Sequence, residues 1–145
     1  MTLLLVHLTA TAALAGVVWV VQLVVYPSFL LVGAADRTGA AWAAVHAAHT
    51  RAVTWVVGPP WAVQGASLAA LLVRDGLSPL RVLTGLLALA TVVVTVTVQV
   101  PLHTRLDRGW DARAARRLVS TNWLRTAAWT AGTACAVLLA ARGPA

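Results

Sequence analysis

The sequence predicts an all-α membrane protein, a four-transmembrane-helix up-down bundle. Of its 145 residues 60% are hydrophobic and only 10% are charged, which is outside the usual range of soluble globular domains. Four apolar runs, at about 3–33, 41–73, 79–103 and 114–141, each exceed the ~20 residues that a helix needs to cross ~30 Å of hydrocarbon. The connections between them are short, so we expect a single domain over 1–145.

Charge predicts the orientation of this bundle. The net charge of +7 comes from eleven arginines, with no lysine, against four aspartates. Most of the arginines lie in or beside the first and third connections, at Arg37, Arg51, Arg105, Arg108, Arg113, Arg116, Arg117 and Arg125. The positive-inside rule places these connections in the cytoplasm and both termini on the outer side of the cell (inner) membrane. The expected partner of these arginines is the anionic head groups of the bilayer, and we expect no nucleic-acid binding.

Helix 1 is predicted to be a mature membrane helix. No basic residue precedes its apolar stretch, which is far longer than the ~7–15 residues of a signal-peptide core. Near its cytoplasmic end Gln22 and Tyr26 are four residues apart and share one face. Pro27 has no N–H to donate, so we expect a kink at this point.

Helix 2 carries a pair of histidines close to its start. Asp36 or Thr38 is expected to cap the helix, and Trp42 is expected at the membrane interface. His46 and His49 are three residues apart, so both imidazoles project from one face, ~4.5 Å apart along the helix axis.

Helix 3 has a clear start signal, because Ser78 is a cap residue and Pro79 is favoured at the first helical position. Its cytoplasmic end carries Gln99 and His103, four residues apart. This spacing again places two polar side chains on one face.

Helix 4 is expected to begin after Asp111, which is a favourable N-cap residue. Asn122 and Arg125 then lie three residues apart on one face, and Trp129 follows one turn further along.

The polar pairs of all four helices fall at a common depth in the cytoplasmic half of an up-down bundle. Polar groups at membrane depth are costly, ~2.5–3.5 kcal/mol for a central arginine, and they usually line a cavity or site. We therefore predict one polar pocket for a lipophilic small molecule. The predicted catalytic residues are His49, His103, Asn122 and Arg125, and the predicted substrate contacts are Gln22, Tyr26, Gln99, Trp123 and Trp129.

Two chemistries suit this pocket. His46, His49 and His103 could ligate copper or iron, including haem iron, and the lack of carboxylates within the apolar runs disfavours a carboxylate-bridged diiron centre. Alternatively no metal is bound, a histidine acts as general base, and Arg125 with Asn122 stabilises the resulting anion. The sequence contains no nucleophilic triad, phosphate loop or dinucleotide fingerprint.

Three segments, HAAHTRAVTWVVGPPW, VPLHTRL and NWLRTAAWTAG, resemble the anthrone-oxygenase-like family of small four-helix integral membrane proteins. The best matches are Pro101-Leu102, Arg105-Leu106, Asn122 and Arg125-Thr126. The resemblance implies oxidation of a lipophilic aromatic or quinone-like substrate by oxygen, without flavin or nicotinamide. Asparagine is common in the family at the positions paired with His49 and His103, and histidine at both is a departure from that pattern that favours a metal-dependent variant over a direct transfer of the family's activity.

A non-enzymatic interpretation stays open beside the oxidoreductase. The same polar pocket would suit a haem- or quinone-binding electron-transfer subunit, or a small membrane transporter. Small residues from Gly65 to Ala69 would also allow helix association and therefore an oligomer.

Overall fold

A computed structural model describes residues 1–143, which form an all-helical bundle. The four long helices of this part of the chain are α1 (Thr2–Ala35), α2 (Ala40–Asp75), α3 (Pro79–Asp107) and α4 (Ala112–Arg142). Each is long and apolar enough to cross a membrane, which confirms the predicted number and type of elements. The helices extend beyond the predicted runs, most of all at the end of α3.

The helices pack in an arrangement that leaves one side of the bundle loose. Helix α4 packs along both α1 and α3, and α1 packs along α2. Helices α2 and α3 contact each other least of these neighbouring pairs. The bundle is therefore least tightly closed between α2 and α3.

Helices α1 and α3 each widen into a π-helical turn at the same depth. The turns span Val21–Val25 and Thr95–Gln99, and each is followed within two residues by a proline, Pro27 or Pro101. Proline cannot donate to the carbonyl four residues back and its ring crowds that carbonyl, so a wider turn relieves the crowding. The distortion expected at Pro27 thus takes the form of a π-turn, a feature frequent at functional sites.

Polar side chains accept hydrogen bonds from the first turns of α2, α3 and α4. The Asp36 carboxylate accepts the backbone N–H of Trp42 at 2.8 Å, Ser78 caps α3, and Asp111 accepts the N–H of Ala114 at 2.9 Å. These backbone hydrogen bonds are the main reason that the pKa of each of the two aspartates is lowered from its ordinary value. The caps predicted at Ser78 and Asp111 are confirmed, whereas the N-cap position of α2 is Gly39 and the Asp36 carboxylate reaches the first turn from three residues before that position.

Trp42 differs from its predicted place at the interface. Its ring is fully buried, packs edge-on against Phe29 at 5.3 Å between ring centroids, and donates from Nε1 to the Leu106 carbonyl at 3.0 Å. The interfacial assignment was wrong because the loop between α1 and α2 turns this side chain into the core, beneath the polar residues of the site.

Candidate functional site

A cavity of about 430 Å³ lies among the four helices. One end is apolar and includes Leu14, Val18, Trp61 and Trp129. The other end is polar and is lined by Tyr26, His49, Gln99, His103 and Arg125. Its side wall between α2 and α3 includes the exposed residues Thr54, Gly58, Val100 and Thr104. An apolar cavity with convergent polar groups at one end is typical of a small-molecule site.

A chain of polar side chains crosses the bundle at the polar end. The Tyr26 hydroxyl donates to Oε1 of Gln99 at 3.2 Å and lies 3.3 Å from Nε2 of His103. Nδ1 of His103 lies 2.9 Å from Nε2 of His46. Nδ1 of His46 lies 2.9 Å from a carboxylate oxygen of Asp107, which is an ion-pair distance. The two groups are not aligned for a hydrogen bond. We refer to Asp107, His46, His103 and Tyr26 as the histidine–aspartate chain.

Asn122 and Gln22 form a second network beside the cavity. Nδ2 of Asn122, a fully buried side chain, donates to Oε1 of Gln22 at 2.9 Å. Gln22 donates in turn to the Val119 carbonyl at 3.3 Å. Neither residue is part of the cavity wall, so the structure does not place Asn122 as a catalytic group or Gln22 as a substrate contact. Asn122 instead accepts a hydrogen bond from Arg125, and Gln22 supports Asn122.

Arg125 lies in the cavity wall and forms no ion pair within residues 1–143. Its Nη1 donates to Oδ1 of Asn122 at 3.2 Å, but its buried Nε has no hydrogen-bond partner within residues 1–143. The ion pairs of that part of the chain involve His46, Arg74, Arg81 and Arg105. A buried guanidinium in this state is well suited to an anionic or strongly polarised ligand oxygen.

His49 lines the cavity and stands outside the histidine–aspartate chain. Its ring packs edge-on against Phe29, 4.9 Å between centroids, and lies 6.0 Å from the ring of His103 and 6.4 Å from that of Tyr26. His103, by contrast, has both nitrogens within hydrogen-bonding distance of neighbours. His49 is therefore the imidazole placed to exchange a proton with a ligand.

The three histidines do not fit the predicted metal site. Residues 1–143 contain no group of three His, Cys, Asp or Glu side chains able to hold a metal ion. Nε2 of His46 and Nδ1 of His103 lie 2.9 Å apart, a spacing that two neighbouring ligands at about 90° would also have, but no third side chain of the described residues joins them as a ligand. The assignment of His46, His49 and His103 as ligands of copper or iron is therefore not supported by this geometry.

The two tryptophans predicted to contact substrate separate in the structure. Trp129 lines the cavity and packs with the buried cluster around Leu14. Trp123 is half exposed on the outer surface and packs edge-on against Trp19, 5.6 Å between centroids. Trp123 is not among the residues of the cavity wall, because position 123 lies about 100° around α4 from Asn122 and about 160° from Arg125.

Asp107 is the site residue that sequence reasoning missed. It lies four residues after His103, beyond the predicted end of helix 3, and was assigned to a loop. Helix α3 continues to Asp107, so the i,i+4 spacing brings its carboxylate to the same face as His103. That spacing was the signal available in the sequence.

Comparisons with models of known protein families, with curated proteins and with solved structures find no match to this chain. The resemblance to anthrone-oxygenase-like proteins stays a prediction, and the function is inferred from the geometry of the cavity.

Proposed function

We propose that the chain is a multi-pass protein of the cell (inner) membrane, with both termini outside. The length and apolar character of the four helices support insertion. The clustering of arginines around the connections 36–39 and 108–111 supports a cytoplasmic position for these two loops. Under this proposal the polar end of the cavity lies in the cytoplasmic half of the bilayer.

Within that membrane, we propose an oxygenase that oxidises a lipophilic aromatic or quinone-like substrate. One observation carries the proposal: the uncompensated guanidinium of Arg125 shares the polar end of an apolar cavity with His49 and Tyr26. The cavity volume, about 430 Å³, falls within the ~300–1,000 Å³ of small-molecule sites. A flat aromatic would occupy the apolar part while its carbonyl or phenol oxygen meets Arg125.

The arrangement supports metal-free acid–base chemistry on a ring CH₂ that is conjugated to a carbonyl. His49 removes one proton from this carbon, and Arg125 stabilises the charge that moves onto the carbonyl oxygen. Molecular oxygen adds to the carbon, and the peroxide takes a proton from Tyr26. After His49 has released the first proton it removes the second from the carbon, and the O–O bond breaks to give the carbonyl and hydroxide. The hydroxide takes one more proton from Tyr26 and leaves as water. The balance is R₂CH₂ + O₂ → R₂C=O + H₂O.

The test uses the whole chain purified in detergent, with anthrone as substrate. Oxygen uptake and anthraquinone absorbance should rise together, one product per oxygen, at a rate above that of protein-free micelles. Arg125→Met and His49→Gln should each lower this excess rate by ~10²–10³-fold, the usual effect of removing a group that stabilises developing charge. Arg116→Met is the matched control, since Arg116 is exposed on the same helix and should not matter.

Three results would change the conclusion. An excess rate of zero for the unsubstituted protein would overturn the oxygenase. Tight binding of a quinone such as menadione without oxygen uptake would instead favour the electron-transfer alternative. A rate abolished by a chelator and restored by one metal ion would show that the metal-free chemistry is wrong.

A further inference from the structure

We propose that Asp107, His46 and His103 form a proton-transfer path from the water-facing end of α3 to Tyr26 in the cavity. Successive separations between the carboxylate, the two imidazoles and the phenol are 2.9, 2.9 and 3.3 Å, the first an ion-pair distance and the other two hydrogen bonds. Each imidazole contributes both of its nitrogens, one on either side. This is the arrangement by which a histidine takes up a proton on one nitrogen and releases another from the opposite nitrogen.

The hydrogen-bond directions are mutually consistent along the path. Tyr26 donates to Gln99, so the lone pair of its oxygen is available to accept from Nε2–H of His103. Nδ1 of His103 then has to accept from Nε2–H of His46. Nδ1 of His46 faces the carboxylate of Asp107 and is then an acceptor, so the proton that enters the path is the one placed between these two groups.

Burial distinguishes the two ends of the path. The Asp107 side chain is 55% exposed, whereas His46 is 1% exposed. Trp42 stacks on the His46 ring at 5.0 Å between centroids, and Phe29 packs edge-on against it at 5.8 Å. Because these rings shield His46 from water, its ring nitrogens connect the exposed carboxylate to the buried hydroxyl without water, beside the cavity that the other three residues of the histidine–aspartate chain also line.

A purely structural role is the competing explanation for the histidine–aspartate chain. An ion pair between Asp107 and His46 could simply fasten α3 to α2, where the two helices otherwise contact each other little. The two explanations make opposite predictions for proton exchange. Loss of a path slows exchange of the buried ring proton with water, whereas loss of a fastening loosens the bundle and speeds it.

The purpose of the path rests on the proposed function. In the oxygenase balance two protons leave carbon through His49, and two are supplied to oxygen at Tyr26. No net proton is needed, but His49 and Tyr26 lie 6.4 Å apart between ring centroids. The hydroxyl of Tyr26 pairs with Gln99 and His103 instead. The protons that Tyr26 gives up are therefore returned by a separate route through water. The exposed Asp107 at the other end of the path provides that connection to water.

The experiment measures exchange of the His103 ring proton with water, by NMR of the ¹⁵N-histidine-labelled full chain in micelles. Asp107→Asn should slow this exchange at least tenfold, Asp107→Glu should keep it close to the unsubstituted rate, and formate should restore it in Asp107→Ala. Asp111→Asn is the matched control, because Asp111 is a nearby aspartate that caps α4 and lies outside the path. Thermal unfolding confirms that each variant is folded.

Exchange in Asp107→Asn that equals or exceeds the unsubstituted rate would overturn the path. The measurement needs no substrate, so its failure is separate from failure of the oxygenase. Slowed exchange without oxygen uptake would leave the path standing and remove the proposed function. Oxygen uptake with unchanged exchange would do the reverse.

Discussion

Arg125→Met should make the protein more stable while it weakens the binding of an anionic ligand. Arg125 is a largely buried cation with no carboxylate partner among residues 1–143 and with its Nε unpaired. Desolvating such a charge costs several kcal/mol. Methionine has a similar length, no charge and a flexible apolar chain that suits an apolar cavity.

The magnitude follows from two opposing terms. The substitution removes the hydrogen bond from Nη1 to Asn122, 3.2 Å long, which is worth ~1.5–3 kcal/mol as a bond to a charged group. It also removes the larger cost of the desolvated charge, for a net gain of about 1 kcal/mol. For a chain of this size that gain raises the Tm by ~2–4 °C. The charged hydrogen bond lost to an anionic ligand, ~1.5–3 kcal/mol, weakens its binding by ~10–150-fold.

The assay combines thermal unfolding in detergent with ligand titration. The anionic ligand is a dihydroxyanthraquinone at a pH where it is ionised, and anthracene is the neutral comparison of similar shape. Arg125→Met should lose affinity for the first and keep it for the second. Arg116→Met should leave both affinities and the Tm unchanged.

A lower Tm together with unchanged affinity for the ionised ligand would refute this reasoning. Arg125 would then be part of the framework with Asn122, and the charge would not be reserved for a ligand.

Three further predictions concern the cavity, the core and the loops. Gly58→Phe should fill the side wall of the cavity between α2 and α3 and reduce anthraquinone binding at least tenfold. The Tm should change little, because a Cβ at Gly58 meets no atom within 4 Å. Gly65→Phe is the control, since Gly65 is an exposed glycine on the same helix, and equal effects at both positions would contradict the prediction. Gly33→Ala should destabilise the fold by ~1–3 kcal/mol, since its Cβ would overlap the ring of Trp110, whereas Gly65→Ala should be tolerated in the same unfolding assay. Asp111→Ala should lower the Tm at neutral pH and reduce the loss of stability on acidification. The pKa of Asp111 is lower in the folded protein than in the unfolded chain. The stabilisation by Asp111 is therefore complete above the unfolded pKa of ~3.9 and is lost as the pH falls through the folded pKa. If acidification lowered the Tm of Asp111→Ala as much as that of the unsubstituted protein, the proposed contribution of the Asp111 carboxylate to acid stability would be wrong.

Local signals in the sequence determined the helices of this protein. Four apolar runs longer than a bilayer is thick required four long helices, and the caps at Ser78 and Asp111 followed from short-range hydrogen bonding. The predicted common depth of the polar pairs also held for Tyr26, Gln99 and His103, which meet in one hydrogen-bonded group. Depth is set by counting residues along each helix, so it needs no knowledge of the packing.

The tertiary structure decided which polar residues face the ligand and which face each other. The Asn122 amide donates to Gln22, and Trp123 turns outward. His46 bonds to His103 and lies against Asp107. Each of these outcomes depends on how far a helix is rotated about its axis. The π-turns before Pro27 and Pro101 change that rotation for the residues that follow them.

Residue spacing fixes which side chains share a helix face, but it does not fix where that face points once four helices pack together. The sequence by itself therefore determined four membrane-length helices with polar groups at one depth. The pairing of Asp107 with His46, and the isolation of Arg125 in the cavity wall, arose only from the packing of the four helices against one another.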